Sequence, residues 1–203
     1  MIKNRKQIAG IFVSLFMIVG CGGETGPTST EVQIGNQIWT TQNLSIETFR
    51  NGDPIPHIQT SGEWREAGEN QQPAWTYYQN QADYGEKFGK LYNWHAVNDP
   101  RGLAPEGWRI PDNDDWSELI DYLGGEKHAV EELKRRDGFY ALAGGYRGLD
   151  GVFGGKDQTV YWWSADELGE NHAYFRPFNL RTGTISEGTL QKMNGHYVRL
   201  VKE

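Results

Sequence analysis

Hydrophobic and polar residues alternate in several short segments of this 203-residue chain, and each such segment predicts a β-strand. The first segment, residues 32–39, alternates on both sides of Gly35-Asn36, which is typical of a hairpin with a two-residue turn. Further strands are predicted over residues 139–143, 161–164, 173–180 and 196–201. Turn-forming Gly, Asn and Asp residues separate them.

One segment between the strands has the periodicity of an amphipathic helix. Its apolar stripe consists of Trp116, Leu119, Ile120 and Leu123. Asp112 is placed to cap this helix and Gly124 to end it. The acidic residues near the cap lack the spacing of a calcium-binding loop, so capping is the preferred interpretation. A second helix is predicted over residues 127–136, and strands on both sides of helices predict an α+β fold with an antiparallel sheet.

Residues 51–73 have little periodicity and many turn-forming dipeptides. The sequence predicts a long irregular loop there. Loops of that length often carry function, which makes this segment a candidate surface.

The amino terminus has a different pattern. Three cations precede a charge-free apolar run over residues 8–19, which is too short to cross a bilayer as a helix, since a span takes about 20 residues. The run ends in Ile-Val-Gly-Cys21, which resembles the lipobox of bacterial lipoproteins. We therefore expect a signal peptide over residues 1–20 and acylation of Cys21, with the lipid bilayer as a partner. An ordinary secretory signal with a chance cysteine is the alternative.

Residues 21–30 are rich in Gly, Thr and Ser and predict a flexible linker before one domain over residues 31–203. By analogy with lipoprotein sorting, Gly22 after the lipidated residue favours the outer membrane. The expected location is thus the cell envelope, and the sequence leaves open which face of the membrane carries the domain.

Charge and cysteine content exclude several functions. Without residues 1–20 the chain has 17 Lys and Arg against 27 Asp and Glu, a net charge of −10, which argues against nucleic acid as a partner. Cys21 is the only cysteine, so its acylation leaves no thiol for a disulfide, a nucleophile or a metal ligand. The five histidines are scattered without metal-ligand spacing, and we expect neither a metal nor another cofactor.

The ordered motifs of the chain resemble the Fibrobacter succinogenes major paralogous domain family. The matching segments include VQIGNQIW at 32–39, FRNGDPIP at 49–56, GKLYNW at 89–94, PEGW at 105–108, YLGG at 122–125, GGYR at 144–147, YWWS at 161–164 and VRLV at 198–201. The resemblance implies a C-type lectin-like fold, with two helices, twisted antiparallel sheets and long irregular loops. Similar members often carry a cysteine where this chain has Leu200, so a disulfide found in relatives is not available here.

The resemblance leaves the activity open, because lectin-like folds host sugar binders, protein binders and one class of enzymes. We expect a binding module for a glycan or protein ligand and no enzymatic activity. One alternative is a surface-display protein without a specific ligand. The other is a relative of formylglycine-generating oxidases or non-haem iron enzymes, which share a segment similar to Arg109-Ile-Pro with Trp116, but the cysteines that the oxidases use are missing.

The predicted ligand site combines clustered aromatic residues with a polar loop. Alternation along Tyr161-Trp162-Trp163 would bury one tryptophan and present the other for stacking on a sugar, beside a loop over residues 165–172. The predicted site residues are Trp64, Trp162, Trp163, Asp166, Glu167, Glu170 and Asn171. The alternative is that both strand tryptophans are core anchors, because a cysteine-free core needs large apolar side chains.

Overall fold

A computed structural model describes residues 29–203 of the chain. The predicted signal peptide, Cys21 and the linker up to residue 28 lie outside the described residues. No helix in residues 29–203 combines the length and the apolar character needed to cross a bilayer.

The described chain folds into short helices and three antiparallel sheets. The helices are α1 (Ser61–Glu69), α2 (Ala82–Phe88), α3 (Trp94–Val97), α4 (Asn113–Tyr122) and α5 (Glu126–Leu133), with one 3₁₀ turn at Tyr78–Asn80. The strands are β1 (Glu31–Ile34), β2 (Gln37–Thr40), β3 (Trp75–Thr76), β4 (Leu91–Asn93), β5 (Trp108–Arg109), β6 (Tyr146–Arg147), β7 (Phe153–Gly154), β8 (Thr159–Leu168), β9 (His172–Asn179), β10 (Thr184–Ile185), β11 (Gly188–Gln191), β12 (Gly195–His196) and β13 (Val201–Lys202).

The first sheet has the order β1-β2-β13-β5 and joins the two ends of the domain. The predicted hairpin is confirmed, since Val32 pairs with Trp39 across a turn in which Gly35 has φ 60°. Val201 of β13 pairs with Trp39 on one side and with Arg109 on the other.

The other two sheets meet near the candidate site. One has the order β3-β4-β12-β6-β7, and in the other β9 pairs with β8, β10 and β11. Single bridges such as that between Trp162 and Tyr197 link the two sheets. Helices together with antiparallel sheets confirm the α+β class.

The predicted cap of α4 is confirmed. The Asp112 carboxylate accepts from the Asp115 amide at 2.8 Å, and the Asp115 carboxylate accepts from the Asp112 amide at 2.9 Å. Arg109 forms a bidentate ion pair with Asp115. Burial would raise the pKa of Asp115, but the hydrogen bonds from Arg109 and Asp112 outweigh it and lower the pKa below its usual value. The acidic cluster therefore serves the helix terminus.

Three predicted segments contain other elements, or elements with other bounds, in the structure. Residues 51–73 are not an irregular loop throughout, since they contain the nine-residue helix α1. Thr60 caps this helix by accepting a hydrogen bond from the Glu63 amide. The helix adds to the two predicted ones, α4 and α5. Its apolar signal was weak because only Trp64 and Ala67 bury hydrophobic side chains. The helix predicted over 127–136 is α5 and ends at Leu133. The strand predicted over 196–201 is split between β12 and β13.

Residues 139–143 are apolar but form no strand. The Ala141 amide donates to the Leu133 carbonyl, and Tyr140 has φ 56°, so this segment turns back onto the end of α5. Phe139 and Ala141 are buried in the core nonetheless. Buried apolar residues give the same pattern with or without sheet pairing, so the strand predicted over residues 139–143 is absent.

Strand β8 buries adjacent residues on both of its faces in its first half. Trp162 belongs to a core cluster with Trp39, Trp116 and Phe178, whereas Trp163 belongs to a second cluster with Tyr92, Trp94 and Phe175. Adjacent residues of a strand point to opposite faces, so two fully buried neighbours mean that both faces are covered. This strand separates the two main parts of the core.

Candidate functional site

A groove of about 550 Å³ opens where the β8–β9 sheet meets the sheet containing β6 and β12. We call it the tyrosine groove. Its lining residues are Tyr146, Gly148, Leu149, Asp150, Val152, Tyr161, Leu190, Asn194 and His196. They come from three separate parts of the sequence, which the two sheets bring together.

Two tyrosine rings form one wall of the groove. Tyr146 of β6 and Tyr161 of β8 are half-buried, and their ring centroids lie 4.9 Å apart in an edge-on arrangement. Tyr161 is held from behind by Phe175 at 6.1 Å, so its orientation is fixed before any ligand arrives. Burial raises the pKa of the Tyr161 hydroxyl, which stays protonated at neutral pH and can donate a hydrogen bond.

His196 lies beneath these rings and is fully buried. Its ring stacks on Trp163 at 4.3 Å and lies 5.5 Å from that of Tyr161. Neither Nδ1 nor Nε2 has a hydrogen-bond partner within the described part of the chain. Burial lowers the pKa of His196 to about 3, so the imidazole is neutral at physiological pH. A buried polar group without a partner is uncommon, and this one lies at the floor of the groove.

A short loop forms the outer rim. Gly148 donates to the Val152 carbonyl at 2.7 Å, and Asp150 accepts from the Val152 amide at 3.0 Å. The loop lies against the first residue of α1. Gly151 of the loop has φ +82°, and a side chain at Gly151 would collide with Ser61. The closed loop leaves Leu149 38% and Val152 62% exposed.

The groove therefore combines apolar surfaces with a few polar groups. Asp150 is the only ionisable carboxylate in the lining, and Asn194 is fixed by donating to the Gln191 carbonyl at 2.8 Å. Ring faces and aliphatic side chains supply most of the contact area, while Asp150, Asn194 and the tyrosine hydroxyls can set the orientation of a ligand. Such a composition is typical of small-molecule binding sites.

The three predicted tryptophans are not exposed. Trp64, Trp162 and Trp163 have 0% accessible surface, so the expectation of a presented tryptophan ring is wrong and the core-anchor alternative is correct. Each indole N–H donates to an internal acceptor, at 2.7–2.9 Å: Met193 O, Asn43 Oδ1 and Tyr92 O, respectively. None of the three offers a face to a ligand.

The predicted acidic loop is largely strand. β8 continues to Leu168 beyond an irregularity after Trp163, which leaves only residues 169–171 as a turn. Asp166 accepts from the Asn113 amide at 2.7 Å, and Glu167 pairs with Lys192 at 2.7 Å. Glu170 is exposed in the turn.

Asn171 follows in the same turn and lines a separate pocket of about 230 Å³ with His95 and His172. The Asn171 carbonyl accepts from the Lys192 amide at 2.9 Å. None of the predicted residues 166, 167, 170 and 171 lines the tyrosine groove.

Trp64 supports the groove indirectly. The Arg147 guanidinium stacks on its ring at 4.5 Å and donates to the carbonyls of Ile58, Gln59 and Thr60. These contacts fix the start of α1, on which the rim loop rests. Thus the segment 51–73 packs beside the groove without lining it.

Sequence reasoning found Tyr161 as part of the aromatic segment but missed its partners. Asp150-Gly151 and Asn194-Gly195 have only the pattern of turns, and Tyr146 and His196 lie in two-residue strands. No local pattern marks them, because the groove arises from pairing between β6 and β12.

Residues 29–203 contain no group of three or more His, Cys, Asp or Glu side chains arranged to hold a metal ion.

Comparison with known proteins identifies the family of the chain. No curated protein and no solved structure matches it. The family model of the Fibrobacter succinogenes major domain matches residues 32–202, which include every strand and helix described above apart from the first residue of β1. Because the match covers most of the chain, this protein belongs to the Fibrobacter succinogenes major domain family.

Proposed function

We propose that this protein is an exported, lipid-anchored binding module that holds a glycan in the tyrosine groove at the cell envelope. The observation that carries the proposal is the pair of half-buried tyrosine rings, Tyr146 and Tyr161, fixed beside a carboxylate and an amide in an open groove. A sugar ring has an apolar face of C–H groups and a rim of hydroxyls. Aromatic rings with nearby polar groups complement both.

The proposal concerns binding without catalysis. A neutral, buried His196 has no partner in the described chain that would activate it as a base, and Asp150 is the only carboxylate in the groove lining. The finer assignment to the C-type lectin-like superfamily rests on the sequence motifs and on the mixture of helices, antiparallel sheets and irregular connections.

The test is a glycan array probed with the full chain in a non-ionic detergent. We expect the wild type to bind a limited set of glycans and Tyr161→Ala to lose that binding while remaining folded. Tyr122→Ala is the matched control, since Tyr122 is 65% exposed on α4 and does not line the groove. Retained binding in Tyr161→Ala would reject the groove, and an array without any bound glycan would favour the surface-display alternative.

A protein ligand is the second candidate, and the exposed Leu149 and Val152 on the rim favour it. Apolar side chains exposed beside a groove are a common feature of protein-binding surfaces. Val152→Asp would place a charge in such an interface and abolish capture of a protein partner. A glycan bound against the tyrosine rings would tolerate this substitution much better, so the same variant distinguishes the two ligand classes.

The proposed anchoring depends on Cys21 alone. Two or three acyl chains hold a protein firmly to a membrane, whereas an unlipidated chain has no such attachment. We expect Cys21→Ala to remove incorporation of labelled fatty acid and to lose the mature protein from the detergent phase. Equal labelling of the variant and the wild type would reject the lipoprotein assignment without affecting the groove.

A further inference from the structure

A second pocket lies at Arg199, just before the last strand. This cavity of about 140 Å³ is bounded by the segment after β2, the end of α2 and the residues around Tyr140. We call it the Arg199 pocket. A cavity needs only about 10–15 Å³ of such volume to hold one water molecule, so this one has room for a small polyatomic ligand.

The Arg199 guanidinium is buried without a counter-ion. The residue is 1% exposed, and none of the carboxylates in residues 29–203 forms an ion pair with it. Its hydrogen bonds come from Nη1, which donates to the carbonyls of Thr40 at 2.8 Å and Phe139 at 2.9 Å, while Nε has no partner. Burying a charge is costly unless it is paired and hydrogen-bonded.

Arg147 is the informative comparison. It is also fully buried without a carboxylate, but both of its terminal nitrogens donate, to three carbonyls at 2.7–3.0 Å. Nε has no partner within residues 29–203 in either arginine, so the difference lies at the second terminal nitrogen. Arg199 makes only two such bonds, both from Nη1, and borders a cavity, while Nη2 donates to none of the described residues. Burial lowers the pKa of Arg199 only to about 9, so the group stays charged at neutral pH.

The walls of the pocket supply further donors. Lys87 is exposed at the rim, and Ser45 Oγ accepts from Lys90 Nζ at 3.1 Å, which leaves the Ser45 hydroxyl hydrogen for another acceptor. Glu86, which is exposed, is the one acidic residue of the lining. Two cations and a hydroxyl around a small cavity form a suitable environment for an anion with several oxygens.

We infer that the Arg199 pocket binds a phosphate-type oxyanion, either free or in a lipid headgroup. The oxyanion would accept from the unpaired donors of Arg199 and be neutralised by Lys87. This inference is independent of the tyrosine groove, to which Arg199 does not contribute.

The position of the pocket makes a lipid headgroup a realistic source. Thr41, a lining residue, donates its hydroxyl to the carbonyl of Ser29 at 2.5 Å. Cys21 precedes Ser29 by eight residues, a length of chain that spans at most about 27 Å. If Cys21 is acylated as proposed, the pocket lies within reach of the bilayer surface.

The first measurement is thermal unfolding of the full chain in non-ionic detergent, with phosphate replacing chloride at constant ionic strength. A ligand that binds only the folded state raises the midpoint with the logarithm of its concentration. We expect this rise for the wild type and for the control Lys127→Gln, an exposed lysine that does not line the pocket. Lys87→Gln should weaken the apparent affinity about threefold, the size expected for one exposed charge.

Arg199→Gln should weaken the affinity at least about tenfold, because it removes a buried charge-assisted donor. This variant risks unfolding, so a second readout is needed. The Trp162 indole N–H donates to Asn43 Oδ1 in the pocket wall at 2.7 Å. The NMR resonance of this indole N–H should shift when phosphate binds. A midpoint that does not respond to phosphate, or an indole resonance that does not move, would overturn the inference.

The source of the oxyanion is decided by comparing ligands in the same resonance experiment. Inorganic phosphate, short-chain phosphatidylglycerol and short-chain phosphatidylcholine are added separately. A tighter response to either lipid than to inorganic phosphate supports a headgroup as the ligand, and the reverse order supports free phosphate. An equal response of the wild type and Lys87→Gln to all three would reject the pocket as a specific site.

Discussion

Tyr161 and Trp162 are neighbours on β8, yet they belong to two very different regions. On one face, Trp162 is fully enclosed by Trp116, Phe139 and Phe178, with ring centroids 5.0–5.6 Å away. On the other face, Tyr161 is half-buried and lines an open groove. The comparison shows that aromatic residues at adjacent positions serve stability and recognition separately, according to what covers each face of the strand.

The largest effect should come from the enclosed face. Trp162→Ala leaves a cavity in a packed core and should lower the free energy of unfolding by about 3–5 kcal/mol. Tyr161→Ala should cost clearly less, because part of its ring is already in water. Chemical denaturation of both variants measures the difference, and equal losses would mean that the two faces do not differ as described.

The next effect concerns His196, at the boundary between the groove and the core. Its folded pKa of about 3 lies below the unfolded value of 6.5, so the unfolded state takes up a proton first as the pH falls. The stability due to the neutral imidazole is complete above about pH 6.5 and declines toward pH 3. Between pH 7.5 and pH 5 it should fall by about 2 kcal/mol.

His196→Phe is the matched variant for this measurement, because it keeps an aromatic ring and removes the titration. The wild type should lose about 2 kcal/mol more than this variant over the same pH range. Identical pH profiles from denaturant unfolding would show that His196 has a hydrogen-bonding partner or is solvated in the folded protein.

A smaller effect is expected from the helix behind the enclosed face. α4 supports Trp162 through Trp116, which stacks on it at 5.5 Å, and Asp112 caps this helix. Asp112→Ala should lower the unfolding free energy by about 0.5–2 kcal/mol, equally with calcium or with chelator, and leave glycan binding intact. Asp114→Ala is the control, because Asp114 lies in the first turn but does not accept the capping hydrogen bond, and it should change the unfolding free energy less than Asp112→Ala does. A stabilisation by calcium that disappears in Asp112→Ala would reveal a metal site.

The smallest change in stability should be at the groove rim. Val152 is 62% exposed, so Val152→Ser should alter the unfolding free energy by less than about 0.5 kcal/mol. It should weaken binding of a protein ligand that packs on the rim and leave binding of a glycan against the tyrosine rings nearly unchanged. A marked loss of stability in Val152→Ser would show that the rim is part of the core. The difference between the enclosed face at Trp162 and the open groove at Tyr161 would then not hold.

Much of the fold was predictable because local signals coincide there. The β1–β2 hairpin has alternation around Gly35-Asn36, and α4 has a cap, a stripe and a stop signal in order. α1 was missed because two buried apolar side chains, Trp64 and Ala67, are too few to show periodicity. The segment 139–143 has the pattern of a strand without forming one, because buried apolar residues produce that pattern with or without sheet pairing.

The candidate site was predictable only at Tyr161. Alternation along β8 assigns Tyr161 and Trp163 to one face, and Phe175 and His196 contact both rings. Only the accessible surface of the folded chain shows that Trp163 is enclosed while Tyr161 is partly open to the groove. Similarly, the basic residue Arg199 carries no sequence signal for a missing counter-ion, since the absence of a carboxylate depends on every element packed around it.

The sequence by itself determined the family, the α+β class, the main capped helix and the scarcity of cysteine, because these depend on composition and on patterns within short segments. The tertiary structure decided which aromatic residues are exposed, where the tyrosine groove opens and that Arg199 borders a cavity. The reason is physical: periodicity specifies which side chains share a face, whereas exposure depends on what distant segments place over that face.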